Sequence, residues 1–224
     1  TMLHFSKFVF ANAKYTRPKD DPDAFLSDIE AIIEKYRPPS DYTYILMPVF
    51  QENHIIIKNK QRLEKRIRVA TPDFSMLEQV HPKDHLAETA TEQDVNIPKT
   101  FLPKGEPDLE EILETIELPC LIKPRDSSGG RGIHKVNNLQ ELKQRFNEVK
   151  AEFGAPPLIQ ALVEGEEYCH TVIYNNGKAS ASGAYRNLHS YPADFGSGAL
   201  REAIDPHIFD KQTKPLLEHV GWNG

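Results

Sequence analysis

The chain has 224 residues, with 27 lysines and arginines against 33 aspartates and glutamates, so its formal net charge is −6. An acidic chain lacks the basic footprint of dedicated nucleic-acid-binding proteins, so we expect no nucleic-acid partner. No apolar run approaches the roughly 18 residues of a membrane-spanning helix, and no basic-then-apolar signal sequence opens the chain, so we expect no membrane association. The only two cysteines, Cys120 and Cys169, exclude a disulfide framework and favour the reducing cytoplasm.

The first hundred residues alternate between predicted helices and strands. Apolar residues from Phe25 to Tyr36 recur with helical spacing, and Pro38–Pro39 ends that helix. The apolar run Tyr42–Phe50 predicts a strand covered on both faces. Strands separated by helices predict a parallel, doubly wound α/β unit. The shorter elements predicted here are a helix at Lys58–Lys65, a strand at Ile67–Val69, and helices at Phe74–Val80 and Lys83–Gln93.

Composition changes at Pro98–Pro107, a segment that holds three prolines and a glycine and is predicted to be a linker. The clearest helix is predicted at Asn138–Phe153, because Asn138 and Glu141 resemble a capping box and Gly154 supplies a stop. The Asn176–Gly177 pair predicts a tight turn within a hairpin. The other predicted elements are a helix at Asp108–Ile116, strands at Leu118–Lys123, Leu158–Val163, Tyr168–Tyr174 and Ala179–Arg186, and a helix at Ile208–Val220.

Glycine is scarce in this chain, yet three of its 12 glycines, Gly129, Gly130 and Gly132, lie close together. They belong to the segment Ile122-Lys-Pro-Arg-Asp-Ser-Ser-Gly-Gly-Arg-Gly-Ile133, which links two apolar β segments. Glycines and serines let successive backbone N–H groups point at an anion, and Lys123 adds a positive charge at the end of the entering strand. This chemistry suits a triphosphate. From the glycines alone, a surface hairpin with solvated charges is an equally good interpretation.

A second segment, Leu158-Ile-Gln-Ala-Leu-Val-Glu-Gly-Glu-Glu-Tyr168, predicts a strand, a glycine turn and a second strand that begins with paired acids. Together with the glycine segment it resembles the ATP-grasp superfamily, especially carbamoyl-phosphate-synthetase-like members and predicted ATP-dependent carboligases. Lys83 at a helix start and the stretch Val95-Asn-Ile-Pro98 also fit the resemblance, although Asp94 stands where the family usually has glycine. The resemblance covers roughly residues 40–224.

The resemblance implies an α/β fold that becomes α+β in the ATP-grasp part. A partial doubly wound N-terminal domain is followed by an incomplete ATP-grasp fold. The implied domains are a partial Rossmann-like domain with a linking helix at residues 1–98, a lid subdomain at 99–164, and the first part of a core subdomain at 165–224.

The resemblance also implies where magnesium is bound. Family members hold Mg²⁺ with carboxylates and an asparagine that follow a Gly-Trp-x-Gly turn, which here is Gly221-Trp222-Asn223-Gly224. We therefore expect the Mg²⁺ ligands beyond Gly224 and no metal ligand before it. We also expect that the sequence is truncated at both ends, and that these 224 residues alone have no catalytic turnover.

By the same resemblance, Lys83 and Lys123 would contact the phosphates of ATP. For Lys83, a solvated position at a helix N-terminus is the alternative, although a positive charge there opposes the helix dipole. The flexible lid over the phosphates would consist of Ser127, Ser128, Gly129, Gly130 and Gly132.

The base and ribose of ATP would meet the second segment. Gln160 would lie near the adenine amino group, while Ala161 and Val163 would offer a backbone C=O and N–H to the adenine edge. Glu167 would accept hydrogen bonds from the ribose hydroxyls. Arg186 would face the substrate or the transferred phosphate and is the one catalytic candidate. The side chains of Gln160, Glu167 and Arg186 also have an ordinary surface or strand interpretation, which the sequence leaves open.

The function implied is that of an ATP-dependent carboxylate–amine or carboxylate–thiol ligase that forms an acyl phosphate. Its partners would be ATP, a small carboxylate, and an amine or thiol acceptor, and assembly as a homodimer is left open. Asp194–Gly198 would shape an acceptor pocket or form a simple turn. Two alternatives remain: an ATP-binding regulatory or catalytically inactive module, and a structural α/β domain without a ligand.

Overall fold

The structure is a computed structural model that describes residues 6–49, 52–175, 177–191 and 196–224. It divides into two compact units, residues 1–74 with Gly224 and residues 75–223. Within the described ranges, every helix is too short or too polar to reach across a lipid bilayer. The first unit contains α1 (Pro22–Lys35), β1 (Ile45–Leu46), α2 (Glu52–Lys58), α3 (Lys60–Leu63) and β2 (Arg68–Val69), and α4 (Phe74–Glu78) begins at the boundary.

The second unit carries the rest of the fold. Its helices are α5 (Lys83–Glu92), α6 (Asp108–Leu113), α7 (Leu139–Phe153) and α8 (Asp210–His219), the last preceded by a 3₁₀ turn at Pro206–Phe209. Its strands are β3 (Thr100–Phe101), β4 (Cys120–Lys123), β5 (His134–Val136), β6 (Leu158–Ala161), β7 (Glu167–Asn175), β8 (Lys178–Tyr191) and β9 (Ser197–Ile204). The mixed helix-and-sheet class expected from the sequence is confirmed.

Helix α1 forms where local signals predict it. Asp21 caps the helix, because its Oδ1 accepts hydrogen bonds from the N–H groups of Asp23 (3.1 Å) and Ala24 (2.9 Å). Its apolar stripe is buried against α2, α3 and β2, and these elements form the core of the first unit. The buried residues of α1 are Phe25, Leu26, Ile29 and Ile33.

The predicted buried strand at Tyr42–Phe50 is wrong in length and in burial. Only Ile45–Leu46 is a strand, and it pairs in parallel with β2. Tyr44 and Leu46 pack against the core, whereas Met47 is 73% exposed. The apolar run predicts a strand covered on both faces. In the described part of this unit, however, other residues cover only one face of β1. Phe50 lies outside the described residues.

The second unit contains a four-stranded antiparallel sheet in the order β3-β6-β4-β5. One face packs against α6 and α7 around an apolar core that includes Ile122 and Ile159, both fully buried. Because side chains alternate along a strand, Lys123 and Gln160 lie on the opposite face. This sheet therefore separates an apolar core from a face that carries polar side chains.

Helix α7 has the caps that the sequence predicts. The Asn138 side chain accepts a hydrogen bond from the Glu141 N–H at 2.9 Å, and Glu141 Oε2 accepts one from the Asn137 N–H at 2.8 Å. Gly154 ends the helix with φ of 75°. The residues Leu142, Phe146 and Val149 of its apolar stripe are buried. The predicted helix is confirmed to within one residue at its start.

The linker prediction for Pro98–Pro107 is wrong at Thr100–Phe101. These two residues form β3, in which Thr100 pairs with Gln160 and Phe101 with Ile159. The flanking prolines are compatible with an edge strand, because an edge strand needs fewer backbone donors. A two-residue strand leaves no periodic signal, so only its partner in the sheet identifies it.

The second sheet has the order β7-β8-β9, and it contains one strand that the sequence analysis missed. The predicted hairpin is confirmed as β7 and β8, both longer than expected. Ser197 and Gly198, predicted to belong to a pocket or turn, instead begin β9, which pairs with β8. A Cβ at Gly198 would overlap Asn187 Oδ1, so a larger residue there would have to displace the Asn187 side chain. Asp194, Phe195 and Asn176 lie outside the described residues.

The C-terminal end of α5 forms a Schellman motif around Asp94. The Val95 N–H donates to the Ala90 carbonyl at 2.9 Å, and the Asp94 N–H donates to the Thr91 carbonyl at 3.2 Å. Asp94 has φ of 52°, in the left-handed region that glycine adopts without strain. Its carboxylate also opposes the negative end of the helix dipole.

Replacing Asp94 by glycine should therefore stabilise the protein. We expect Asp94→Gly to raise the free energy of unfolding by about 0.5–1 kcal/mol, measured by denaturant unfolding. The control Asp94→Ala removes the charge but keeps a Cβ in the left-handed conformation. An equal gain in both variants would show that backbone strain at this position is not the cause.

Candidate functional site

Two lysine side chains come together beside the polar face of the four-stranded sheet. Lys123 is the last residue of β4, and Lys83 is the first residue of α5. The Lys83 N–H donates to the Arg125 carbonyl at 3.1 Å, so the start of α5 is fixed to the chain that leaves β4. Both lysines were predicted to contact the same anion, and in the structure the charge of Lys83 acts on the ammonium group of Lys123.

The environment of the two lysines disfavours their charged forms. Burial lowers the pKa of Lys123 below its ordinary value, and the neighbouring charge of Lys83 lowers it further. Burial also lowers the pKa of Lys83, an effect that the Asp126 carboxylate opposes. Within the described ranges, neither ammonium group has a carboxylate oxygen within ion-pair distance. A bound anion would relieve both the repulsion and the lack of a counter-charge.

Each ammonium group is held by neutral oxygen atoms. Lys83 Nζ donates to the Ser127 carbonyl at 2.7 Å and approaches Ser127 Oγ at 3.3 Å. Lys123 Nζ donates to Gln160 Oε1 at 2.6 Å. Gln160 Nε2 in turn donates to Thr100 Oγ1 at 2.8 Å. The row Thr100–Gln160–Lys123 therefore crosses three neighbouring strands on the polar face.

Arg125 connects the elements around the two lysines. Its Nη1 forms a 2.7 Å ion pair with Asp84, whose side chain is almost buried, and its Nε donates to the Pro156 carbonyl at 2.8 Å. The pair holds the first turn of α5 against the exit of β4 and the chain that enters β6. No role was predicted for Arg125 from the sequence, although its place between Lys123 and the glycines was a usable signal.

The glycine segment uses backbone conformations that favour glycine. Gly129, Gly130 and Gly132 have φ of 64°, 77° and 74°. A Cβ on Gly132 would lie 2.6 Å from both the Phe153 ring and Pro124 Cγ, so Gly132 is also required by packing. A Cβ on Gly129 would meet only Ser197 Oγ, at 4.0 Å. Gly132 thus anchors the loop, whereas the tip at Gly129 has space around it.

The residues predicted to face the adenine follow one another at the end of β6. The Ala161 N–H donates to the Lys99 carbonyl at 2.9 Å, so this N–H is already used within the sheet. Val163 lies beyond the strand with an exposed side chain. Its N–H makes no backbone hydrogen bond to any other described residue outside the regular elements. Gln160 is part of the row that holds Lys123.

Glu167 and Arg186 lie on the second sheet in different surroundings. Glu167 begins β7, is exposed, and has no ion pair to another described residue. Arg186 on β8 donates to Glu166 Oε1 at 2.6 Å and to Glu202 Oε2 at 2.7 Å, and Glu166 also accepts a hydrogen bond from the Tyr168 hydroxyl. These bonds lower the pKa of Glu166, the tyrosine bond most. Arg186 is therefore already paired with two carboxylates.

The described residues contain no group of three or more His, Cys, Asp or Glu side chains that could hold a metal ion. Three acids of this unit have partners in the structure: Asp84 with Arg125, Asp126 with His81, and Glu166 with Arg186. The described part of the chain thus offers lysines and backbone groups to an anion, and no arrangement of acids to a cation.

Comparison with known proteins assigns this site to a family. The sequence pattern of the ATP-grasp domain matches residues 80–187, which include both lysines, the glycine segment and the strands of both sheets up to β8. The matched segment, residues 80–187, belongs to the ATP-grasp superfamily. The carbamoyl phosphate synthase large chain of Thermoanaerobacter pseudethanolicus is 24% identical over 143 residues, which are 63% of this chain and 13% of that protein.

Solved ATP-grasp structures share the fold. Biotin carboxylase from Campylobacter jejuni, in complex with β,γ-ATP, superposes with a TM-score of 0.72 at 14% identity, over 92% of this chain and 48% of that one. An L-amino acid ligase from Bacillus licheniformis gives a TM-score of 0.66 at 14% identity, over 91% of this chain and 48% of that one. The chain thus spans about half of the length of these two structures. At such identities the likeness establishes the fold.

The packing of Gly132 gives a direct test of the loop geometry. We expect Gly132→Ala to lower the free energy of unfolding by about 2 kcal/mol more than Gly129→Ala, measured by urea unfolding. Both glycines have positive φ, so the backbone cost is similar in the two variants. Only the alanine at 132 would overlap the Phe153 and Pro124 rings. Equal losses would show that Gly132 is not packed as described.

Proposed function

We propose that the chain binds ATP with its phosphates on Lys83 and Lys123 and serves as an ATP-dependent carboxylate–amine or carboxylate–thiol ligase. The observation that carries the proposal is the pair of partly buried ammonium groups, which repel each other and have no carboxylate partner within the described part of the chain. An arrangement of this kind is unfavourable in the free protein and becomes favourable when a polyanion is bound.

The glycine segment supports the phosphate assignment. Ser127 contacts Lys83 directly, so the loop and one lysine form a connected surface. The residues from Ser128 to Gly130 extend from this contact toward Gly132, which anchors the loop by its packing. Backbone N–H groups in such left-handed turns can point at an anion. We propose that Ser127, Ser128, Gly129, Gly130 and Gly132 cover the phosphates.

The free backbone groups after β6 support the placement of the base. The Val163 N–H is available, and we propose that it donates to the adenine ring while the Ala161 carbonyl accepts from the amino group. The exposed carboxylate of Glu167 is free to accept two hydroxyl donors of the ribose. Gln160 would lie beside the base, and its amide already has a role in holding Lys123.

The proposed reaction has two steps. A carboxylate oxygen of the substrate attacks the γ-phosphorus of ATP, the bond to the bridging oxygen breaks, and ADP leaves. The amine or thiol then attacks the acyl carbon, and the phosphate leaves with its bonding electrons as the acceptor loses a proton. The lysines would hold the phosphates in line and offset charge that develops on them, which is the main contribution that a protein makes to phosphoryl transfer. Arg186 would contact the transferred phosphate or the carboxylate.

Magnesium accompanies ATP in this superfamily, and one ATP-grasp relative has been solved with MgADP. The described residues do not provide a group of acids that fits the ion. No step of the proposal is therefore assigned to a metal ligand of this chain.

Removing either lysine should weaken ATP binding. We expect Lys83→Met and Lys123→Met each to raise the Kd for ATP at least tenfold, which corresponds to about 1.4 kcal/mol, and to change adenosine binding little. The measurement is titration calorimetry at pH 7. Lys135→Met is the control, because Lys135 is an exposed lysine on β5. Wild-type protein that shows no ATP binding at millimolar concentration would contradict the proposal.

The same titrations should depend on pH with a definite sign. Only protonated lysines attract phosphate, and both lysines have a pKa below the ordinary lysine value. ATP affinity should therefore be full at neutral pH and should fall as the pH rises, starting at a lower pH than for solvated lysines. Because bound phosphate favours the protonated forms, binding at high pH should take up protons. Affinity that is constant up to the ordinary lysine pKa would exclude the two lysines as the phosphate contacts.

The ligase chemistry can be tested by trapping the acyl phosphate. Hydroxylamine converts an acyl phosphate into a hydroxamate, and we expect one class among the common L-amino acids, D-alanine and short aliphatic acids to give ATP-dependent hydroxamate. Arg186→Lys should lower the rate of hydroxamate formation about 100-fold and leave the Kd for ATP unchanged. The reason is that a lysine side chain cannot bridge the carboxylates of Glu166 and Glu202. Arg201→Lys on the neighbouring strand is the control. ATP binding without hydroxamate from any acid would instead favour a regulatory or inactive module.

A further inference from the structure

Gln160 is placed between Lys123 and Thr100, where its side-chain amide can act on the charge of the site. We propose that Gln160 is a positioning residue that holds the Lys123 ammonium with a neutral oxygen, so that the charge of Lys123 remains available for the anionic ligand. The inference rests on the proposed function, since it concerns the same phosphate contacts. It assigns to Gln160 a role other than contact with the base.

The hydrogen bonds of Thr100 fix the orientation of the Gln160 amide. Thr100 Oγ1 donates its only proton to the Pro98 carbonyl at 2.7 Å, so toward Gln160 it can only accept. Gln160 Nε2 must therefore face Thr100, and it donates at 2.8 Å. The opposite orientation would also place an NH₂ group against the Lys123 ammonium. Because Gln160 Nε2 is used by Thr100, Gln160 Oε1 is the atom that accepts the hydrogen bond from Lys123 Nζ, at 2.6 Å.

The register of the sheet fixes the contact between Lys123 and Gln160. Gln160 pairs directly with Thr100 on β3 and with Leu121 on β4, and Lys123 is the diagonal neighbour on the same face. The ammonium group therefore has a fixed partner without a long or mobile connection. A side chain that is held before the ligand arrives loses less conformational freedom when the ligand binds.

A neutral partner and a charged partner would have different effects on Lys123. A carboxylate at position 160 would form a partly buried ion pair and neutralise the ammonium, whereas an amide oxygen positions the group and leaves its charge unchanged. The other charged groups near Lys123 are Lys83, Asp126, which acts on Lys83, and the Arg125–Asp84 ion pair. Asp126 partly offsets the charge of Lys83, but within the described residues no carboxylate forms an ion pair with Lys83 or Lys123.

The experiment compares Gln160→Glu, Gln160→Leu and wild type with two probes, ATP and inorganic tripolyphosphate. We expect Gln160→Glu to raise the Kd of both probes about tenfold at pH 7, because it neutralises Lys123. Gln140→Glu, at an exposed position in the first turn of α7, is the control for an added surface charge. The pKa of the Lys123 ammonium is followed in the free proteins by heteronuclear NMR of labelled lysine, with the Lys123→Met spectrum giving the assignment.

The direction of the titration separates positioning by a neutral group from a merely structural role. The Lys123 pKa should rise in Gln160→Glu and fall in Gln160→Leu, where the ammonium loses its acceptor. Unchanged affinity and an unchanged Lys123 pKa in Gln160→Glu would overturn the inference while ATP binding by the wild type still supports the proposed function. A wild type that binds neither probe would overturn both. A loss of affinity that is equal in Gln140→Glu would also overturn the inference.

Discussion

The mutual repulsion of Lys83 and Lys123 is the constraint on which the site depends. Two partly buried ammonium groups cost free energy unless an opposite charge is present, and the fold holds them there without an ion pair to a carboxylate of the described residues. The cost is tolerated because the lysines belong to elements that are fixed by other contacts. Arg125 and Asp84 tie the start of α5 to the exit of β4, and the sheet register fixes Lys123.

The antiparallel sheet makes this arrangement possible because its two faces have different chemistry. Ile122 and Ile159 are fully buried against α6 and α7, and this apolar burial stabilises the strands. Lys123 and Gln160, one residue further along the same two strands, lie on the other face. The face that carries Lys123 and Gln160 also carries Leu121 and Leu158, both buried, so it contributes apolar burial as well as polar side chains.

Local signals predicted the parts of the structure that depend on neighbours in sequence. The caps of α7, which include the left-handed Gly154, need only nearby residues, and they were predicted. The strand at Tyr42–Phe50 and the linker at Thr100–Phe101 were predicted wrongly, because burial and strand pairing depend on residues far away in the chain. For the site, the lysines and the glycine segment could be identified from the sequence. The acceptor that holds Lys123 could not, since Gln160 and Thr100 meet it only through pairing across three strands.

The two cationic parts of the second unit differ in a way that suggests a division of roles. Lys83 and Lys123 have neutral partners, so they can attract an anion before any contact is made. Arg186 forms ion pairs with Glu166 and Glu202, so a distant anion meets little net positive charge there. An anion can contact Arg186 only when one carboxylate gives way or when the arginine uses its remaining donors, and Arg186 Nε is buried without a partner among the described residues. The initial attraction of a polyphosphate therefore depends on the lysines, whereas Arg186 can act only on a group that is already bound.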